Sequence, residues 1–406
     1  MNALHNLSPR QSFLYALALA ISFSAFIYLE HFSLSLMALN TILALSAYTL
    51  LFLLPLRALV IAGFFIGLLW FYWIGFSFRY YDSSYMVPIV SVGFGAVYAL
   101  FFTLIAFGKK PWQRALILFG LSFFEPFDFN WLQMELPFIN SYFGVAKWQF
   151  FLILLALTLF LTCKEKKKYF ALLLLLPALH IHHTPKTLPP LKIKLIAMDV
   201  PQELKWKPYM QPRINQFNFD AIDTAIKEHY DVVVLPESAF ALFLNLHPDL
   251  LEKLREKSHD IAIVTGALYY EDNSNYNVTY FFHEGREQIA KKMTLVPFGE
   301  YIPLPKFIGH YINEMFFDGA SDYVSADAPS TFIIKGIPFR NAVCYEATCE
   351  ELYIGSPQYM IAISNNAWFM PSIEPTLQKL LMRYYAQRHG TIIFHAANAA
   401  GTAIVE

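Results

Sequence analysis

VVVLPESA, Val232–Ala239, decides how the second half of this chain folds. Consecutive valines followed by leucine make a strand buried on both faces, since a strand wet on one face alternates apolar with polar residues. Pro236 ends that strand and leaves Glu237 at its exit. On either side, short β-rich runs alternate with helical periodicity. A strand is expected at Ile193–Met198, a helix at Ile214–His229 and the buried strand itself at Asp231–Leu235. Further strands are expected at Ile261–Thr265, Tyr276–His283, Thr331–Ile334, Pro338–Val343, Tyr359–Ile363 and Thr391–Ala396, with helices at Glu346–Ile354 and Thr376–His389. This order predicts an α/β sandwich over residues 191–406, with chemistry at the strand ends.

The first half obeys a different solvent. The chain has 406 residues, 56% hydrophobic and 15% charged, far from the roughly one-quarter charged residues of a soluble domain. Apolar runs at 12–30, 34–55, 58–78, 88–108, 113–127, 147–163 and 169–181 predict a transmembrane helical domain of about seven spans over 1–181. The first run leads straight into a second and lacks a small-x-small exit, so it is not a cleaved signal peptide. With the N-terminus cytoplasmic, the inner loops hold Arg10, Arg57, Lys109, Lys110, Arg114, Lys164, Lys166, Lys167 and Lys168, and the outer ones only Arg79 and Lys147. Seven spans then deliver the sandwich to the outer face of the membrane. The connector is 182–190, HHTPKTLPP, stiffened by three prolines. His180, His182 and His183 lack a further ligand at metal-site spacing, so no metal is assigned. A net charge of −1 gives no reason to expect nucleic acid as a partner.

Three positions at strand ends carry the chemistry. Glu237 emerges beside an apolar sheet edge able to raise its pKa, and so serves as a general base. Lys292, in KKMTLVPFGEYIP (291–303), precedes Glu300 by eight residues. Cys344, in PFRNAVCYEA (338–347), ends a strand where a helix is expected to start. A helix dipole and the Lys292 ammonium would favour its thiolate. In the acyl transition state Lys292 and the Tyr345 N–H would hold the oxyanion. Of the three cysteines, Cys163 reads as a small hydrophobe and Cys349 as a buried helix residue not bridged to Cys344.

The order Glu, Lys, Cys within LPES, LVPFGEYIP and CYE resembles the carbon–nitrogen hydrolase (nitrilase) superfamily. Fused behind a multispan half, and with PQELKW (201–206) and SNNAWF (364–369), the chain resembles the apolipoprotein N-acyltransferase family. That resemblance implies an α+β membrane protein with an α-β-β-α nitrilase-like sandwich, in the bacterial inner membrane with its catalytic domain periplasmic. It implies acyl transfer from a phospholipid through a Cys344 thioester to the α-amine of a diacylglyceryl-modified apolipoprotein, without metal or organic cofactor. Position by position, it implies Glu237 as base, Lys292 as oxyanion partner and Cys344 as nucleophile. Glu300 would hold the lysine, Tyr345 and Glu346 would follow the nucleophile, and Asn277 in NYNVTY, Trp206 and Trp368 would support the site. The family usually reads SND-WFG, where this chain has Asn366 and Met370; Thr376 and Gln378 replace a common Trp and His, which bears on the pocket's shape. The family also continues past NAAGTAIV into further strands and a last transmembrane helix, whereas this sequence ends at Glu406.

Phe240–Leu246 and Phe307–Phe317, apolar segments near Glu237 and Glu300, are expected to face lipid. A drained, lipid-lined pocket would mark a transferase, since a wet thioester hydrolyses. Two other readings stand beside this one. They are a membrane-tethered amidase or nitrilase acting on small amides, with an open polar site, and a non-enzymatic transporter or sensor, which the scarcity of intramembrane charge disfavours.

Overall fold

The computed structural model describes residues 7–125, 129–131, 133–180, 187–297, 299–301 and 323–406. The chain divides into two compact units, 1–184 with 371–380, and 185–370 with 381–406. His182, His183 and the Phe307–Phe317 segment lie outside the described residues.

The first unit is helical: α1 (Pro9–His31), α2 (Met37–Leu53), α3 (Leu56–Phe71), α4 (Met86–Ala106), α5 (Pro111–Leu121), α6 (Lys147–Thr162) and a single turn, α7 (Lys167–Phe170). Ser8 starts α1, its hydroxyl accepting the Gln11 N–H while the Gln11 side chain accepts the Ser8 N–H at 2.9 Å. α3 and α4 pack through small residues. A Cβ on Gly67 would sit 2.4 Å from the Phe94 carbonyl, so glycine is what permits the approach. Trp70, Phe23, Tyr48 and Phe102 fill the interior. Residues 371–380 belong here, with Lys379 Nζ 2.8 Å from Glu30 and Thr376 Oγ1 2.9 Å from His31 Nδ1.

The helices fall short of seven full spans. Among the described residues α1 and α4 are long and apolar enough to cross a bilayer, and α3 with the 3-10 segment Ile74–Tyr81, bent by 53°, makes a third if the pair is one span. α2 and α6 are apolar but shorter. The expected fifth span is the eleven-residue α5, a rise of about 16 Å against a hydrocarbon core of about 30 Å. The expected seventh breaks into α7 and a 3-10 turn, Ala171–Leu175. Cys163 caps α6 from an exposed position, not from within an apolar core.

The second unit holds two five-stranded sheets. The first, in spatial order β1 (Ile193–Leu195), β2 (Val232–Val234), β3 (Ala262–Glu271), β4 (Ser274–His283) and β5 (Arg286–Lys291), is parallel across β1–β3 and antiparallel beyond. The second contains β6 (Thr331–Ile334), β7 (Ile337–Val343), β8 (Tyr359–Asn365), β9 (Ile392–Asn398) and β10 (Ala403–Val405), with β7–β9 parallel. The valine run is explained by two cores. Val232 and Val234 join Phe281, Phe332, Phe339 and Phe394 between the sheets. Val233 and Leu235 face the opposite way, toward α9 (Gln211–Lys227) and α10 (Pro248–Lys257), which bring Ile214, Ile222 and Leu254. A strand buried on both faces has no polar alternation to show. The one-turn α8 (Gln202–Lys205) precedes α9, and α11 (Glu374–His389) precedes β9. In its second half Tyr385 stacks on Tyr353 at 5.2 Å, and Arg388 and His389 both reach Glu350.

Two expectations are corrected here. The helix expected at Glu346–Ile354 is a pair of 3-10 turns, Cys344–Thr348 and Glu350–Tyr353. The segment expected to face lipid at Phe240–Leu246 completes the core instead, with Phe240 and Leu244 fully buried against α9 and α10; Leu246 alone among its large side chains is well exposed.

Candidate active site

β2 delivers Glu237 through a turn that the sequence fixes tightly. Gly266 of β3 donates its N–H to the Pro236 carbonyl and accepts the Phe240 N–H, both at 3.2 Å. A Cβ at 266 would lie 2.5 Å from the Ser238 nitrogen and 2.6 Å from Glu237 Cα. Only glycine lets β3 run so close beneath the carboxylate. Glu237 is buried, and its Oε1 accepts from Asn277 Nδ2 at 2.7 Å.

Asn277, on β4, joins two carboxylates, since the same nitrogen donates to Glu300 Oε1 at 3.1 Å. Glu300 closes a turn on Val296, whose N–H donates to Oε2 at 2.8 Å. That oxygen also lies 2.6 Å from Lys292 Nζ. Lys292 follows β5, tied by its N–H to the Asn277 carbonyl at 2.9 Å, and its side chain is fully buried. The ion pair with Glu300 is not aligned as a directed hydrogen bond. Beyond Glu300 the ammonium's donors meet no acceptor among the described residues. Burial pulls the Lys292 pKa down, but the negative charges of Glu300, Glu237, Cys344 and Glu346 outweigh it and hold the net shift upward, so the group is a fixed cation.

Cys344 follows β7 with φ of 56°, a left-handed conformation for a residue with a Cβ. Such geometry costs about 1–3 kcal/mol and holds where the surroundings over-determine it. Glu346 does much of the determining. Its Oε2 accepts the Val343 N–H at 2.6 Å, and its Oε1 accepts the N–H groups of Met293 and Thr294, tying the Cys344 turn to the Lys292 loop. Burial raises the Glu346 pKa to about 7, against the opposing pull of Lys292 and the three N–H donors. The 3-10 turn after Cys344 is five residues long, too short for the helix dipole expected from sequence to matter; the charge beside the sulfur comes from Lys292.

Glu237, Lys292, Cys344, Glu300, Glu346 and Asn277 are therefore brought together. Tyr345 is buried, its carbonyl accepting from Thr348 Oγ1 at 2.7 Å and from the Cys349 thiol. Trp368 is half-buried on the turn after β8, whereas Trp206 is 38% exposed. In the same PQELKW motif the position that points inward is Lys205, fully buried with Nζ 3.0 Å from the Glu237 carbonyl oxygen. Sequence reading passed over it. Its one signal was a lysine inside a motif otherwise valued for its tryptophan. A half-buried sulfur, a buried carboxylate and an ammonium with open donors are the parts needed to attack a carbonyl, move a proton and hold an oxyanion.

Known proteins bear on this geometry. Residues 10–181 match the family described as the apolipoprotein N-acyltransferase integral membrane domain. The chain is 45% identical to the apolipoprotein N-acyltransferase of Wolinella succinogenes over 388 residues, covering 95% of this chain and 94% of that one. It is 40% identical to that of Helicobacter hepaticus, covering 84% and 87%. Among solved structures, a CN-hydrolase superfamily protein from Xanthomonas campestris aligns at 15% identity over 52% of this chain and 76% of its own, with a TM-score of 0.39.

Proposed function

This chain belongs to the apolipoprotein N-acyltransferase family and is a membrane acyltransferase, and from that premise we propose that it works through a Cys344 thioester. Glu237 takes the Cys344 proton, and the thiolate attacks an ester carbonyl of a phospholipid. The tetrahedral oxyanion is held by the Lys292 ammonium and the Tyr345 N–H, at about 3 kcal/mol per donor. Collapse breaks the ester C–O bond; Glu237 returns its proton to the departing lysophospholipid, and the acyl chain remains on sulfur. The α-amine of a diacylglyceryl-modified apolipoprotein cysteine then attacks the thioester. Glu237 accepts the amine proton and passes it to the leaving sulfur, so the second step restores the enzyme.

The observation that carries this reading is the buried Lys292 ammonium, paired with Glu300 at 2.6 Å and with no further acceptor among the described residues, on which the negative charges of Glu237 and Cys344 also act. Glu300 holds it on one side, which leaves the remaining hydrogens of the ammonium for an incoming oxyanion. The remaining elements belong to the same proposal. The chain lies in a bacterial inner membrane with its N-terminus cytoplasmic and the sandwich periplasmic, an orientation that requires an odd number of crossings. The sandwich follows the 182–190 connector and occupies 191–370 and 381–406, residues 371–380 belonging to the helical unit, with Trp206 and Trp368 bordering the acceptor or acyl path.

The test is intact-mass analysis of the full chain in detergent after exposure to phospholipid. Wild type gains one acyl group, released when a diacylated lipopeptide is added. Cys344→Ser gains none and loses transfer by a factor on the order of 10⁴ or more. An acyl adduct that persists in Cys344→Ser, with product still formed, would sink the thioester.

A further inference from the structure

Among the described residues, Lys205 is the one buried ammonium that this mechanism leaves without a task. The single turn that carries it, α8, is held from two sides: the Gln202 side chain accepts from Asn365 Nδ2 at 2.9 Å, and the Lys205 carbonyl accepts from Gln211 Nε2 at 2.9 Å. From that fixed base Nζ reaches inward to the Glu237 carbonyl oxygen at 3.0 Å, its one directed hydrogen bond among the described residues. A fully buried ammonium whose only bonded partner is a neutral carbonyl is costly. A methionine would fill a similar volume without that cost, so the charge itself needs a reason.

The charged groups facing Lys205 supply one. Glu237, on the turn after β2, and Cys344, after β7, are the groups whose negative charge acts on it. On its own turn Glu203 is exposed, and Gln211 of α9 is neutral. Burial lowers the Lys205 pKa to about 7, with Glu237 and Cys344 opposing the fall. We propose that Lys205 is a second cation of the active centre, a positioning residue that anchors the Glu237 turn through its main-chain carbonyl and steadies negative charge on Glu237 and Cys344. This rests on the reading of Cys344 as nucleophile. Lys292 faces the developing oxyanion from β5; Lys205 braces the base from the opposite end of the chain's motif order.

The test uses the full chain in detergent and reads the rate of iodoacetamide alkylation at Cys344 against pH, located by peptide mass spectrometry. Removing a cation raises the pKa of a neighbouring acid. In Lys205→Met the alkylation midpoint therefore moves up by at most about one pH unit, and the rate below pH 7, where Lys205 carries its charge, falls by up to about tenfold. Lys205→Gln keeps a donor for the Glu237 carbonyl without the charge and shows the same midpoint rise. Lys205→Arg restores the midpoint. With both neutral variants kcat for transfer falls while KM for a diacylated lipopeptide changes little. A wild-type midpoint in Lys205→Met or Lys205→Gln, with activity lost only in proportion to unfolding, overturns the role of Lys205 and leaves the nucleophile intact. Absence of selective Cys344 alkylation in the wild-type chain overturns the nucleophile, and this inference with it.

Discussion

Two clusters of buried polar side chains in the sandwich unit are finished differently. At the ends of β8 and β9 the groups are neutral and closed. Asn398 Nδ2 donates to the Val200 carbonyl and to Asn365 Oδ1, its own Oδ1 accepts the Val200 N–H, and Asn365 continues to Gln202. His395 fits the same pattern. Its Nδ1 faces the Gly401 carbonyl at 2.9 Å, which can only accept, so Nδ1 carries the proton and Nε2 accepts from Ser364 Oγ at 2.8 Å. Around Glu237 and Lys292 the groups are charged, with an ammonium that meets no acceptor beyond Glu300 among the described residues and two carboxylates sharing one amide. A closed neutral network fixes a shape. An open charged one gives up stability and keeps capacity for a reacting group, the trade expected of a working site.

The sharpest way to break this contrast is Lys292→Met. If the open donors serve a transition state, transfer activity falls by about 10²–10³, the loss expected for one oxyanion donor. The measurement is kcat/KM with phospholipid donor and diacylated lipopeptide in detergent. A loss below tenfold would make the charged cluster no more functional than the neutral one.

The two clusters also carry opposite pH signatures. Burial lowers His395 from 6.5 to about 4. Between those values the unfolded chain binds a proton that the fold refuses. The contribution is therefore fully present above pH 6.5 and is lost as pH falls toward 4, on the order of 3 kcal/mol. Glu346 runs the other way, raised from 4.5 to about 7. There the fold holds the proton that the unfolded chain releases, so stability is greatest below pH 4.5 and is lost as pH rises toward 7, again on the order of 3 kcal/mol. Thermal unfolding of the full chain across pH 4 to 8 checks both. Glu346→Gln flattens the slope between 4.5 and 7, and His395→Gln flattens the slope between 6.5 and 4. If neither variant changes its own window, the two groups titrate as they do in the unfolded chain, and the electrostatic half of the contrast is gone.

Much of this was legible in the chain, for reasons that can be named. VVVLPE reads as a doubly buried strand with a carboxylate at its exit because burial on two faces removes polar alternation, and β6 to β9 of the second sheet follow from the same composition, whereas the three-residue β10 was not read. Lys292, Glu300 and Cys344 were found through strand ends and motif order. What periodicity cannot show is where an apolar loop goes: FALFLNL is as greasy against a core as against lipid, and it is the core that takes most of it. Short apolar runs mislead similarly, since 113–127 and 169–181 contain enough hydrophobic residues for spans, but their described residues hold an eleven-residue helix and broken turns. A 3-10 start after Cys344 carries the same residues as a helix start, and only the backbone at φ 56° separates them. Lys205 stayed hidden because a lysine next to a tryptophan looks like surface until the fold turns it inward.

The mildest test falls on a departure within the neutral cluster. This chain has Asn366 where the resembled pattern reads Asp, and the structure gives a reason: Asn366 Nδ2 donates to the Ala400 carbonyl at 2.8 Å from a fully buried position. A carboxylate there would oppose acceptor to acceptor unless it took up a proton. Asn366→Asp is therefore expected to cost about 1–2 kcal/mol, read as a lower thermal midpoint that partly recovers as pH falls and the carboxyl protonates. Transfer activity per folded molecule changes by less than about twofold, because the open cluster around Lys292 is untouched. A large loss of turnover with no loss of stability would place Asn366 in the reacting site and erase the division between the two clusters.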